Sequence, residues 1–135
     1  MDQQKQLEQM VLACIDTAKA MLNEYKMVIP FGLRAFEDSE DMKMSCPAEK
    51  NPDAGWEEQI EMVVSELKEH VATENISATV LVTELAADDE KGIGLQIETM
   101  MSSVLFVYPY KKTDDEWVIE EPIQTDQLLA TVFEH

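Results

Sequence analysis

The chain has one internal histidine, His70; the other, His135, is its last residue. His70 stands beside Glu69, with Glu66 four residues before it and Glu74 four residues after. On a helix, a glutamate four residues before a histidine, as Glu66 is, can pair with the imidazole on the surface. A helical metal pair of the HExxH kind needs a second histidine one turn away, and none is present. The sequence therefore reads His70 as a solvated helix-face residue. Ser39, Ser45, Ser65, Ser77, Ser102 and Ser103 have no histidine–acid pattern around them, so no nucleophile triad is supported. Gly32, Gly55, Gly92 and Gly94 are too scattered to form a phosphate loop.

Carboxylates are the abundant reactive group. Glu84 and Glu98 fall on neighbouring predicted strands. On one side of a sheet they would form a like-charged pair, in which one carboxyl titrates late. Joined by Tyr108, they are the candidate ligand pocket, placed between helices and sheet. The acids Glu37, Asp38, Glu40 and Asp41, and separately Asp88, Asp89 and Glu90, lack EF-hand spacing. No metal site and no cofactor are expected. Cys14 lies on the apolar stripe of the first predicted helix and reads as a small buried hydrophobe. Cys46 precedes Pro47 at a strand end, and the two cysteines form no CxxC.

These residues need elements to hold them. Leu7, Met10, Val11, Cys14, Ile15, Ala18, Met21, Leu22 and Tyr25 recur at spacings of three and four. That pattern predicts a helix over 4–28, stopped by Pro30. Residues 31–37 and 42–46 alternate as strands around a polar turn, a hairpin. Trp56, Ile60, Val63, Val64, Leu67 and Val71 predict a second helix over 56–73, with Asp53 as its cap. Residues 76–86 are rich in β-branched side chains and read as a strand partly buried on both faces. Strands are predicted at 93–99 and 103–110, then a short edge strand from Trp117 that Pro122 ends. Residues 125–133 suggest a short terminal helix. The expected fold is one α+β domain over 1–135, ordered α-β-β-α-β-β-β-β. Its single antiparallel sheet has five or six strands, and both long helices pack on one face.

Binding candidates follow from that placement. Nine methionines is a high number for 135 residues. Met42, Met44, Met100 and Met101 fall on strands or a hairpin end, and methionine adapts to varied partners. Val104, Phe106, Tyr108 and Tyr110 alternate as an aromatic-rich stripe. On a helix-free sheet face these residues would form an exposed interface; against the helices they would be core.

Charge narrows the classes. Asp plus Glu number 28 against 10 Lys plus Arg, a formal charge of -18. The acids divide evenly between the two halves of the chain, so the negative field belongs to the whole domain. Such a field repels phosphate and argues against nucleic acid and anionic membranes. Arg34 is the single arginine, too few for base reading. No apolar run reaches the ~18 residues of a membrane span. The polar start Met1-Asp2-Gln3-Gln4-Lys5-Gln6 is not a secretory signal, so a cytoplasmic location is expected.

The leading amphipathic helix, then Ile29-Pro30-Phe31-Gly32, an acidic hairpin turn and later Tyr108-Pro109-Tyr110 resemble a group of small bacterial α+β proteins. That resemblance implies a bacterial source and carries no activity or site residue with it. With no catalytic set legible, the expected function is a non-enzymatic interaction module for a basic protein partner, of the adaptor, inhibitor or immunity kind. The alternatives are a small-ligand-binding domain or weak enzyme at Glu84 and Glu98, and a homodimer that buries its own sheet face.

Overall fold

The computed structural model describes residues 3–37, 41–47, 53–87, 90–100, 102–114 and 116–125. Helix α1 spans Gln3–Tyr25. Its apolar stripe buries Met10, Cys14, Ala18, Met21 and Leu22. The helix ends before the predicted boundary, because Lys26 turns left-handed at φ 62° while its N–H still bonds the Leu22 carbonyl at 3.0 Å. Strands β1 (Phe31–Phe36) and β2 (Met42–Ser45) form the expected hairpin. Helix α2 spans Trp56–Thr73. Its cap is Gly55 rather than Asp53, and it has no side-chain capping bond. Strands β3 (Ile76–Ala87), β4 (Glu90–Glu98) and β5 (Ser103–Thr113) form a long meander. Strands β6 (Glu116–Ile119) and β7 (Ile123–Thr125) follow.

The class is the expected one: α+β, with one antiparallel sheet and two helices. The sheet has seven strands in the order β2-β1-β3-β4-β5-β6, and β7 also pairs with β5. The expected last edge strand is thus two pieces, both on the outer side of β5. The expected helix over 125–133 lies beyond the described residues, apart from Thr125.

The placement of the helices corrects the sequence reading. They do not share a face. Phe31, Leu33 and Ala35 of β1 join Ala78, Val80 and Val82 of β3 and Ile93, Leu95 and Ile97 of β4 in the core beneath α1. The alternate residues point the other way. A Cβ on Gly32 would lie 2.8 Å from Val63 Cγ1 and 2.9 Å from Leu67 Cδ1, so α2 rests on the opposite face. Val63, Val64, Leu67, Ile76 and Leu81 form that second core. The cause is legible in β3, whose Ala78-Thr79-Val80-Leu81-Val82 is apolar on both sides. One layer of helices would leave Leu81 wet, and a second layer buries it. Gln6 ties the start of α1 to the sheet: its Nε2 donates to the Phe36 carbonyl at 2.9 Å, and its Oε1 accepts from Ser77 Oγ at 2.6 Å.

Candidate functional site

The sheet register separates the two sequence-selected glutamates. Glu84 pairs with Ile93 and Glu98 pairs with Thr79, five residues apart along β4 and on opposite faces. Glu84 stands on the α1 face and accepts a hydrogen bond from the Tyr110 hydroxyl. Burial first, then the Glu84 bond and charge, hold that hydroxyl well above the ordinary tyrosine range. Glu98 is buried on the α2 face, where Ser103 Oγ donates to its Oε1 at 3.0 Å. Tyr108 is half-buried on the α1 face beside Ile93. Glu84, Glu98 and Tyr108 therefore line no common pocket.

The methionine and aromatic set is divided as well. Met42 and Met44 sit on edge strand β2. Phe106, Tyr108 and Tyr110 sit on β5, with β1, β3 and β4 between. All five share the α1 face, and α1 lies between the two groups. Met42, Phe106 and Tyr108 pack partly against the α1 core, while Tyr110 belongs to it. Met44 and Met100 are exposed, and Met101 lies outside the described residues. A helix-free sheet face, the surface the sequence reading needed, does not occur: each face carries a helix. Cys14 is sealed under α1, and burial pushes its thiol up to about 12. A thiol that stays protonated at neutral pH is a poor nucleophile and metal ligand.

Arg34 forms a cluster the sequence did not announce. The guanidinium is 9% exposed and points to the α2 side, next to Thr79 on β3. Its Nε lies 3.3 Å from Glu74 Oε1, and its Nη1 donates to Ser45 Oγ at 3.3 Å. Glu74 also pairs with His70 Nδ1, so the histidine uses the carboxylate after it rather than Glu66 before it. Glu74 closes α2 through its own N–H, which donates to the His70 carbonyl at 2.8 Å. The cluster clamps the C-terminal end of α2 to β1 and β2. Its burial suits a structural clamp more than a reaction centre. Among the described residues, no three His, Cys, Asp or Glu side chains gather to hold a metal ion.

The outer side of α2 is the better candidate. Glu57, Glu58, Glu61 and Glu69 are exposed and Glu66 is half-buried, against one base, Lys68. Trp56 opens the helix and is 43% exposed. Two grooves run along this side. One, of about 540 Å³, is lined by Trp56, Glu57, Ile60, Glu61, Val64 and Lys68. The other, of about 460 Å³, takes Glu58, Glu61, Met62 and Glu66, with Pro47 beside them. Each is an apolar floor under acidic rims. The amphipathic spacing of α2 was legible in the sequence. The grooves were not, because they depend on which helix face the sheet leaves uncovered.

The fold and this surface define an acidic α+β sheet protein with one helix on each face and a negatively charged, partly apolar helical ridge. Comparison with known protein families, with curated proteins and with solved structures finds no match to the chain. Its function is read from its own geometry. Among the described residues, no helix is long and apolar enough to cross a membrane.

Proposed function

We propose that the chain is a non-catalytic interaction module that docks a basic segment of a partner protein along α2. The observation that carries this reading is the pairing of exposed Trp56 with four glutamates, Glu57, Glu58, Glu61 and Glu66, around two grooves on one helix. The glutamates attract lysine and arginine from a distance, and the formal charge of -18 adds long-range steering. Trp56, Ile60 and Val64 then take an apolar side chain of the same segment, since buried tryptophan is a common anchor of such contacts. Charge sets encounter and sign; the tryptophan groove sets lifetime.

The test compares the wild-type chain with a Glu57→Lys/Glu58→Lys/Glu61→Lys variant. Each is used to capture proteins from the native lysate at low salt, with stepped salt elution. One basic protein that leaves the wild type at moderate salt, and is missing from the variant, supports the reading. A smear of basic proteins, held alike by both and lost at low ionic strength, makes the charge a solubility device and overturns it. For a captured partner, Trp56→Ala should shorten the lifetime of the complex, with a cost of about 2 kcal/mol or more if the ring is an anchor.

A further inference from the structure

The sheet edge away from β1 and β2 gathers three bases around one cleft. Of the four bases in residues 68–135, three gather there: Lys91, Lys111 and Lys112. They line a cleft of about 630 Å³ together with Pro109, Tyr110, Trp117, Glu120 and Ile123. The cleft exists because the outer edge of the sheet is broken. β6 pairs with β5 up to Tyr110↔Ile119, and β7 resumes at Val107↔Ile123. Between these pairs, Tyr108 and Pro109 face three residues, Glu120, Glu121 and Pro122. One extra residue makes a bulge, and the two prolines withhold ladder donors at the same place. The Glu120 N–H reaches across, to the Pro109 carbonyl at 2.7 Å.

The lining is amphipathic. Tyr110 and Trp117 meet edge to face with ring centroids 5.7 Å apart, giving a firm aromatic wall. Lys112 Nζ stands 5.5 Å from the centre of the Trp117 ring. Lys111 is engaged by Glu120 at 3.3 Å. Among the described residues, Lys91 and Lys112 have no carboxylate partner. Glu84, on the same sheet face, is occupied by the Tyr110 hydroxyl. In a chain of formal charge -18, this corner presents two ammonium groups with no carboxylate partner among the described residues, beside an aromatic wall.

We propose that the cleft between β5 and the broken β6–β7 edge binds a small organic anion, an aromatic or apolar body with one phosphate or carboxylate end. Lys91 and Lys112 hold the anion, and Tyr110, Trp117 and Pro109 take the body. A volume of this order lies within the ordinary range for small-molecule sites. Both halves are required, because the field of the whole protein opposes a bare anion and the half-open wall is too small to hold a neutral ring alone.

The probes are phenyl phosphate, phenol and inorganic phosphate, each titrated into the full chain and followed by amide and Trp117 indole NMR shifts. Phenyl phosphate is expected to give saturable shifts at Lys91, Tyr110, Lys112 and Trp117. Its affinity should exceed that of phenol or phosphate by about tenfold or more, and Lys91→Gln/Lys112→Gln should remove about the same factor. Both lysines are on the surface, so the variant keeps the fold, which its unchanged spectrum elsewhere verifies. No saturable shift, shifts centred on another surface, or equal affinity in the variant would each overturn the site. This site shares no residue with α2, so its failure leaves the docking reading untouched.

Discussion

The two faces of the sheet are held in different ways. Under α1, sixteen buried side chains among the described residues, from the helix, from Val28 in the connection after it and from β1, β3, β4 and β5, form one continuous core. Under α2, a cluster of five buried hydrophobic side chains does that work; further along that face Leu105 is also buried, among the buried polar groups Arg34, Thr79, Thr83, Gln96 and Glu98. Apolar burial contributes in proportion to area, so α1 has the larger hold. α2 substitutes close backbone approach over Gly32 and an ion cluster at its C-terminal end. The helix with the weaker hold is also the one with the acidic, groove-lined exterior. Segments with few buried contacts open at lower free energy, and binding elements are commonly drawn from them. Native-state hydrogen exchange should therefore show α2 amides exchanging well before those of α1; equal protection in both helices would break the comparison.

The largest expected mutational effect lies in the ion cluster. Glu74→Gln leaves the Arg34 guanidinium, 9% exposed, without its carboxylate. Removing one partner of a buried pair costs about 3 kcal/mol or more, and because Glu74 itself is 29% exposed, about 2–3 kcal/mol is expected here. The double variant Arg34→Met/Glu74→Gln should recover much of that loss, since no buried charge remains. Urea unfolding of the two variants measures both. If the double variant is as unstable as the single one, the packing around Arg34, not its charge, holds α2 down.

Gly32→Ala is next. The added Cβ would stand 2.8 Å from Val63 Cγ1 and 2.9 Å from Leu67 Cδ1. Valine has no free rotation to yield, so α2 must lift by some tenths of an ångström. Overpacking of this kind costs typically about 1–3 kcal/mol. The same change should speed hydrogen exchange in α2 and leave α1 unaltered. Slowed exchange in α2 would mean that the methyl fills space instead of forcing the layers apart.

These effects mark how far the sequence could be read. Helical spacing from Leu7 to Tyr25 and from Trp56 to Val71, and the alternation in β1 to β5, placed nearly every element, because each depends on local period. The layer of each helix depends on a decision made by all strands together. The clue was Leu81 between Val80 and Val82, a strand apolar on both faces, and Gly32 opposite it. Glu84 and Glu98 could not be assigned to faces without the Thr79↔Glu98 register, which sequence does not contain. The clamp at Arg34 was hidden for another reason: a lone arginine in an acidic chain looks like a surface residue until its strand is found under a helix. The lysine cleft depends on a bulge opposite Pro109, and only Pro122 hinted at a break.

The α1 face yields the pH prediction. Burial raises the Cys14 thiol from 9.0 to about 12. The unfolded chain therefore loses this proton first. The neutral thiol's contribution is complete below pH 9 and is lost progressively as pH rises towards 12, with a limiting slope of about 1.4 kcal/mol per pH unit. The Tyr110 hydroxyl, also raised, adds loss in the same direction above the ordinary tyrosine range. Cys14→Ala should be less stable at pH 7, because it leaves a cavity beneath α1, yet its stability should fall less steeply between pH 9 and 11. An unchanged slope would show that water reaches the thiol and that the α1 core is less closed than its burial indicates.

The smallest effect concerns the end of α1. Lys26 holds φ at 62°, a region that strains any residue with a Cβ. Glycine there removes the strain but gives the unfolded chain more freedom, so the two terms oppose each other. Because helices commonly end on a left-handed glycine, and Lys26 is exposed with no side-chain partner among the described residues, relief of strain should win. Lys26→Gly should raise stability by roughly 0.5–1 kcal/mol, measured by thermal unfolding at pH 7. The gain should appear as slower exchange at the last turn of α1 and not in α2, since the two helices meet the sheet on separate faces. A gain shared by α2 would show that the faces unfold as one unit, and the contrast between them would then describe packing without describing cooperativity.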